Sequence, residues 1–175
     1  MHFRGRLFRA LNPLFASEPL SGGGAQLYGG RFNPTGVPAL YASLTVLTAL
    51  REANRAGSLQ PTTLVSYDAD IDDVFDSRDE AALAQEGMDP SALADDNWRD
   101  HMRSVGEVAT QAFARRLIGK GRNGLIVRSF ASGAAGDDLN LVLWRWGDAP
   151  PARLRLIDDE NRLARWSSRP RNPVE

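Results

Sequence analysis

Clean two-residue alternation of apolar and polar positions runs through "ARLRLID" (152–158) and predicts a strand there. "RGRLFRA" (4–10), "TTLVSYDADI" (62–71), "NGLIVRSF" (123–130) and "LNLVLWRW" (139–146) read as strands too, and "ALYAS" (39–43) as a brief one. Helical spacing takes over in "LTVLTALREANRA", with Ser43 as its expected N-cap and Gly57 as its stop. Val46, Leu47 and Leu50 form an apolar face on that helix, and Thr45, Thr48 and Glu52 share another. "DSRDEAALAQEG" (76–87) and "DPSALADDNWRDHM" (89–102) predict a helix each. The clearest helix is "SVGEVATQAFARRLIGKG" (104–121), where Ser104 and Glu107 form a capping-box pattern and Arg115, Arg116 and Lys120 sit at the negative end of the dipole. Residues 11–39 read as one long loop, and the tail from Asn161 begins as a short helix and ends loose over 168–175. Strands and helices mix without a repeating βαβ order. The expectation is therefore an α+β fold: one compact domain over 1–175, with a mixed or antiparallel β core and flanking helices.

Composition narrows this picture modestly. The 175 residues suffice for one sizeable core, and 42% hydrophobic with 25% charged residues is ordinary for a globular protein. The absence of Cys excludes disulfides, thiolate nucleophiles and Cys-ligated zinc. The N-terminal stretch has no apolar run suited to a signal peptide or membrane span, so a cytoplasmic location is expected. The net charge of -1 conceals segregation: residues 1–60 carry six Arg against two Glu, whereas 61–100 carry twelve acids against two Arg. An acidic middle argues against non-specific nucleic-acid binding.

The glycine-rich stretch "SGGGAQLYGG" lacks the lysine of a P-loop and has no obvious helix after it, so it makes a poor dinucleotide fingerprint. "SFASG" has Phe130 where a nucleophile elbow needs Gly. His2 and His101 lack metal-ligand spacing, and no metal is expected. What remains lies in the first 52 residues: Arg9, the loop with Arg31 and Asn33, Tyr41 and Glu52. Each has a plain structural reading: Arg9 on the surface, Glu52 paired with Arg55 one turn on, and Tyr41 in the core. Arg31 is the exception. Ordering a long cationic side chain in a flexible loop costs rotamer entropy, so either it dangles in water or something anionic holds it.

The order and spacing of these residues, "LFRA", "LSGGGAQLYGGRFNPTGVPALYAS", "ALREAN" and then "GLIVRSFASGAAGDDLNLVLW", resemble the RES domain, the toxin half of a bacterial toxin–antitoxin module. The match looks closest to ParT-type toxins. The family is named for an Arg, a Glu and a Ser: "LFRA" resembles its opening strand with an Arg, Arg31 stands in its G-G-R-[WF]-N loop signature, "ALREAN" supplies the helical Glu52, and Ser129, with Ser132 as competitor, matches the Ser. Asn140 follows on the late strand. The loop carries Phe32 where many members have Trp, and Ala10 where some have an aromatic; Tyr28 or Tyr41 would replace that contact.

The resemblance implies a fold similar to ADP-ribosyltransferase toxins and NAD+ as a consumed substrate. It implies mono-ADP-ribosyl transfer to a protein, phosphoribosyl pyrophosphate synthetase being the target in the ParT-like branch, or else glycohydrolysis or phosphorolysis of NAD+. It also implies a cognate antitoxin with a helical, Xre-like DNA-binding region. In this reading Glu52, Arg31 and Tyr41 are catalytic, and Arg9, Arg31, Asn33, Tyr41, Ser129 and Asn140 bind NAD+. A non-enzymatic module that docks an acidic partner would leave Glu52 and Tyr41 without a role.

Overall fold

The computed structural model describes residues 1–54 and 60–163. Its frame is one seven-stranded sheet. The strands are β1 (Phe3–Leu11), β2 (Leu40–Ser43), β3 (Thr63–Ile71), β4 (Val74–Asp76), β5 (Gly124–Arg128), β6 (Leu139–Leu143) and β7 (Ala152–Leu156). They lie in the order β4-β5-β6-β2-β1-β3-β7, and every pairing is antiparallel except the parallel β4–β5 edge. The helices are α1 (Gly23–Tyr28), α2 (Val46–Ala53), α3 (Glu80–Gln85), α4 (Pro90–Leu93), α5 (Trp98–Val105) and α6 (Ala109–Gly119). The architecture is α+β with a mixed sheet, as the element order predicts.

The sheet separates two apolar cores, because successive side chains on a strand point to opposite faces. Leu40, Ala42, Ile126, Leu139, Leu141 and Leu143 bury one way, with Leu7, Tyr67, Ile71 and Leu154. Leu125, Val127 and Val142 bury the other way, against Phe113, Ala114 and Leu117 of α6. Full burial of each such side chain stabilises by about 1.5–3 kcal/mol before entropy is subtracted. Polar residues in phase with the second set, Tyr41 and Ser43 on β2 and Asn140 on β6, therefore face the helical side. The register sets Ser43 directly opposite Asn140.

Several local expectations give way to tertiary structure. The glycine run is helical rather than loop: α1 forms although glycine costs about 1 kcal/mol per helical position. Its C-terminal half is held from outside, with the Gly36 backbone N–H donating to the Gln26 carbonyl and the Asn33 side-chain Nδ2 to the Ala25 carbonyl. Ser43 does not cap α2. Pairing with β6 continues through it, its hydroxyl goes to Asn140, and Thr45 caps instead by accepting the Thr48 amide at 3.1 Å. The expected apolar face of α2 is turned out, leaving Leu47 64% exposed, because Thr48 and Ala49 point inward. A buried carboxylate, Asp138, takes the Thr48 hydroxyl and fixes that rotation.

The helix expected over 89–102 is two helices, broken where Asp95 accepts the Asn97 amide in a tight turn. The Ser104–Glu107 capping box does not form. Gly106 ends α5 at φ +90°, Glu107 pairs with Arg115, and Gln111 accepts the Val108 amide at the true start of α6. Strand β4 escaped the sequence reading because three residues are too few to show a period. Gly57, Arg55 and the tail over 168–175 lie outside the described residues. Among the described residues, no helix is long and apolar enough to cross a membrane.

Candidate active site

A cleft of about 630 Å³ opens on the helical side of the sheet. Its walls come from β1, β2, β6, the 28–32 turn, α2, α5 and Phe130. Arg9, Arg31, Tyr41, Glu52 and Asn140 border it, so residues spread over more than a hundred positions meet in one place.

Glu52 is held most specifically. Its Oε1 accepts both the Ser129 hydroxyl at 2.6 Å and the Asn140 Nδ2 at 2.7 Å. Each donor is itself oriented. The Ser43 hydroxyl donates to Asn140 Oδ1 at 2.7 Å, leaving Nδ2 to face the carboxylate. Ser129 Oγ accepts the Ala131 amide at 3.2 Å, which directs its own proton to Glu52. Ser129 thus occupies the position beside the carboxylate, while Ser132 is exposed. Two donors on one oxygen fix the orientation of the carboxylate.

Behind this trio lies a second carboxylate that the sequence reading missed. Asp138 is buried at 7% exposure; Oδ1 accepts the Thr48 hydroxyl, and Oδ2 accepts Arg51 and the Ala135 amide. The Thr48 hydroxyl first, then the Ala135 amide and the Arg51 charge, hold its carboxyl below the usual carboxylate range. Because the Ser129 amide donates to the Asp138 carbonyl at 2.7 Å, this residue ties the helix carrying Glu52 to the strand–loop–strand carrying Ser129 and Asn140.

The turn over 29–33 is built from long-range donors. Gly29 takes φ +71°, a conformation that costs glycine nothing. A Cβ on Gly30 would lie 2.5 Å from both Asn33 Oδ1 and the Tyr41 hydroxyl, so the close approach there requires glycine. Gln111 donates to the Gly30 and Asn33 carbonyls, and Trp144 Nε1 to the Phe32 carbonyl at 2.8 Å. Asn33 is fully buried; its Nδ2 donates to Ala25 and Val37 carbonyls at 2.9 Å each, and its Oδ1 accepts the Tyr41 hydroxyl at 2.7 Å. Its amide is used within the turn and lies behind the cleft wall. The Tyr41 hydroxyl also accepts the Phe32 amide, and burial pushes its pKa well above the ordinary phenol value. Tyr41 therefore presents its ring to the cleft while its neutral hydroxyl braces the turn.

Arg31 does not dangle, and its guanidinium lies 3.8 Å from the Asp96 carboxylate. It is 6% exposed, donates to the Leu93 carbonyl at 3.0 Å, and lies over Phe130 at 4.4 Å and Trp98 at 5.8 Å from the ring centroids. The aromatic faces and the carbonyl offset the rotamer entropy that made it conspicuous in the sequence. Arg9 follows the strand alternation of Leu7 and Leu11, and its guanidinium donates to the Pro19 and Ser21 carbonyls at 3.1 and 3.2 Å. Sequence reasoning also missed Trp98, Arg99, Met102 and Arg103, which α5 brings to the cleft. No local motif marks them; α5 joins the site through the Arg31 contacts.

The fold and cleft define an α+β domain whose site is one oriented carboxylate among arginines and aromatics. The chain belongs to the RES domain family: the model of that domain matches residues 6–167. A chain from the crystal structure of the M. tuberculosis MbcT–MbcA toxin–antitoxin complex shares this fold, with a TM-score of 0.63 and 22% sequence identity over 90% of this chain and 84% of that one. No curated protein sequence matches the chain.

Proposed function

We propose that this protein is the toxin of a RES–Xre-type toxin–antitoxin system. It cleaves NAD+ at the nicotinamide–ribose bond and transfers ADP-ribose to a cellular protein, with phosphoribosyl pyrophosphate synthetase as the candidate target. The observation that carries the proposal is Glu52 Oε1 held by both Ser129 and Asn140 at the border of the cleft. Nicotinamide leaves a pyridinium as a neutral molecule, so bond cleavage needs no general acid. The demand is for negative charge beside a ribose that becomes an oxocarbenium ion, and one preorganised carboxylate meets it. Ser129 and Asn140 keep that carboxylate aimed, so little reorganisation remains at the moment of cleavage. Tyr41 contributes a π face to the nicotinamide or to the developing cation. Arg31 shapes the cleft and adds positive potential for the diphosphate. The antitoxin reading is supported by family membership and by the neighbour's occurrence in a toxin–antitoxin complex.

The test is incubation of the purified protein with NAD+ labelled in the adenylate moiety, with and without a bacterial lysate, alongside Glu52→Ala. Label on a protein band supports transfer. Free ADP-ribose or its phosphate, without a labelled band, assigns water or phosphate as acceptor instead. Absence of nicotinamide release from the wild-type protein, or full release by Glu52→Ala, refutes the catalytic reading.

A further inference from the structure

The charge around the cleft is lopsided for a chain of net charge -1. Arg31, Arg99 and Arg103 border it, against a single lining carboxylate, Glu52; Arg9 borders it too, but its guanidinium is turned to the Pro19 and Ser21 carbonyls. The two arginines that the sequence singles out are engaged with the protein itself. Arg9 donates to two loop carbonyls, and Arg31 is buried against Leu93, Trp98 and Phe130. Arg99 and Arg103 differ from them. Both are exposed, and they sit four residues apart on α5, hence on one face of that helix. Arg99 stands over the Trp98 ring at 5.2 Å, and Arg103 makes an exposed pair with Asp100 at 3.3 Å. Such a pair is weak enough to be exchanged for a ligand. Two further acids are nearby on the same segment: Asp95 is taken by His101, and Asp96 lies 3.8 Å from Arg31.

We propose that Arg99 and Arg103 of α5 are the principal diphosphate-binding residues of the cleft, with Arg31 acting as the clamp that holds α5 in place. This rests on the dinucleotide reading given above. A dinucleotide of this class carries a cationic pyridinium at one end and a dianionic diphosphate in the middle. The cleft offers the matching polarity on separate elements, the Glu52 carboxylate on α2 and the paired guanidinium groups on α5. Guanidinium groups suit this task because their planar fork binds phosphate oxygens bidentately. Trp98, 7% exposed, has both Arg99 and Arg31 against its ring, at 5.2 and 5.8 Å from the centroid, so the cation pair and the buried clamp share one support.

The experiment uses the full chain and the double variant Arg99→Ala/Arg103→Ala, with Arg99→Lys/Arg103→Lys as the charge-conserving partner. Inorganic pyrophosphate binding is measured by calorimetry, and NAD+ turnover is measured as KM and kcat. The expected result is pyrophosphate affinity and NAD+ KM both worse by about tenfold or more in the alanine variant, from loss of two charge-assisted contacts, with kcat little changed. The lysine variant recovers part of the affinity, and thermal melting is unchanged because both side chains are exposed. Wild-type protein that does not bind pyrophosphate, or an alanine variant with unchanged KM and pyrophosphate affinity, overturns the proposal. Wild-type protein that binds pyrophosphate through these arginines but releases no nicotinamide overturns the dinucleotide reading and leaves the anion site standing.

Discussion

Replacing Asn33 by Ala separates two roles that sequence alone leaves entangled, substrate contact and construction of the turn. Asn33 is fully buried. Its side chain makes two hydrogen bonds of 2.9 Å to carbonyls and accepts one of 2.7 Å from Tyr41. A typical buried hydrogen bond contributes about 1 kcal/mol net, and a partner left unsatisfied costs about 1–3 kcal/mol. The Ala25 carbonyl keeps the Gly29 amide, and the Tyr41 hydroxyl keeps the Phe32 amide, which limits the loss at those two groups. The substitution should therefore destabilise the protein by about 3–4 kcal/mol. At roughly 2–4 °C per kcal/mol for a chain of this size, Tm should fall by about 10 °C. Urea unfolding and calorimetry read this directly, with NAD+ turnover measured well below the new Tm. Asn33→Asp preserves the shape but sets a carboxylate oxygen against two carbonyls. Its folded-state pKa is then raised, so the variant loses stability as pH rises above the ordinary carboxylate range. An Asn33→Ala protein within about 1 kcal/mol of wild type, yet impaired tenfold in NAD+ affinity, would refute the structural role and return Asn33 to the substrate.

The same turn predicts that Gly30→Ala is poorly tolerated. Its Cβ would overlap Asn33 Oδ1 and the Tyr41 hydroxyl, so a loss of about 1–3 kcal/mol should appear in melting curves, and an unchanged Tm would contradict the close approach. Asp138 predicts an acid limb of stability. Its depressed pKa means that its contribution is present above the ordinary value of 3.8 and lost as pH falls through the lower folded value. Tm followed from pH 7 downward should drop more steeply in wild type than in Asp138→Asn over that window, and parallel curves would show that Asp138 is not the group responsible.

The parts of the site that were readable in the sequence share a property: each depends on local pattern. Alternation marked β7 and, more loosely, β3; β1, β5 and β6 were marked by strand-type apolar runs, and the spacing of Arg31, Tyr41 and Glu52 carried the family likeness. The residues that were missed, and the intramolecular partners of those that were found, depend on contacts across the chain. Ser129 and Asn140 reach Glu52 over 77 and 88 positions, and Arg31 meets Leu93 over 62. A pattern within ten residues has no access to such partners. The inverted face of α2 has the same cause, since Asp138, 90 positions beyond Thr48, outweighs the burial of Leu47.

By itself, then, the sequence determined an α+β chain with a glycine turn, one helical glutamate and a late strand pair in the order of the RES domain. Period-two and period-3.6 patterns are local consequences of backbone geometry, and turn chemistry is set by glycine and proline wherever they stand. Only the tertiary structure decided how those residues are used. It turned Arg9 toward a loop, clamped Arg31 under aromatic rings, buried Asn33 in the turn and brought Arg99 and Arg103 to the cleft. The physical reason is that a buried donor or acceptor must find a partner, and which partner lies within hydrogen-bonding reach is a property of sheet register and helix packing rather than of spacing along the chain.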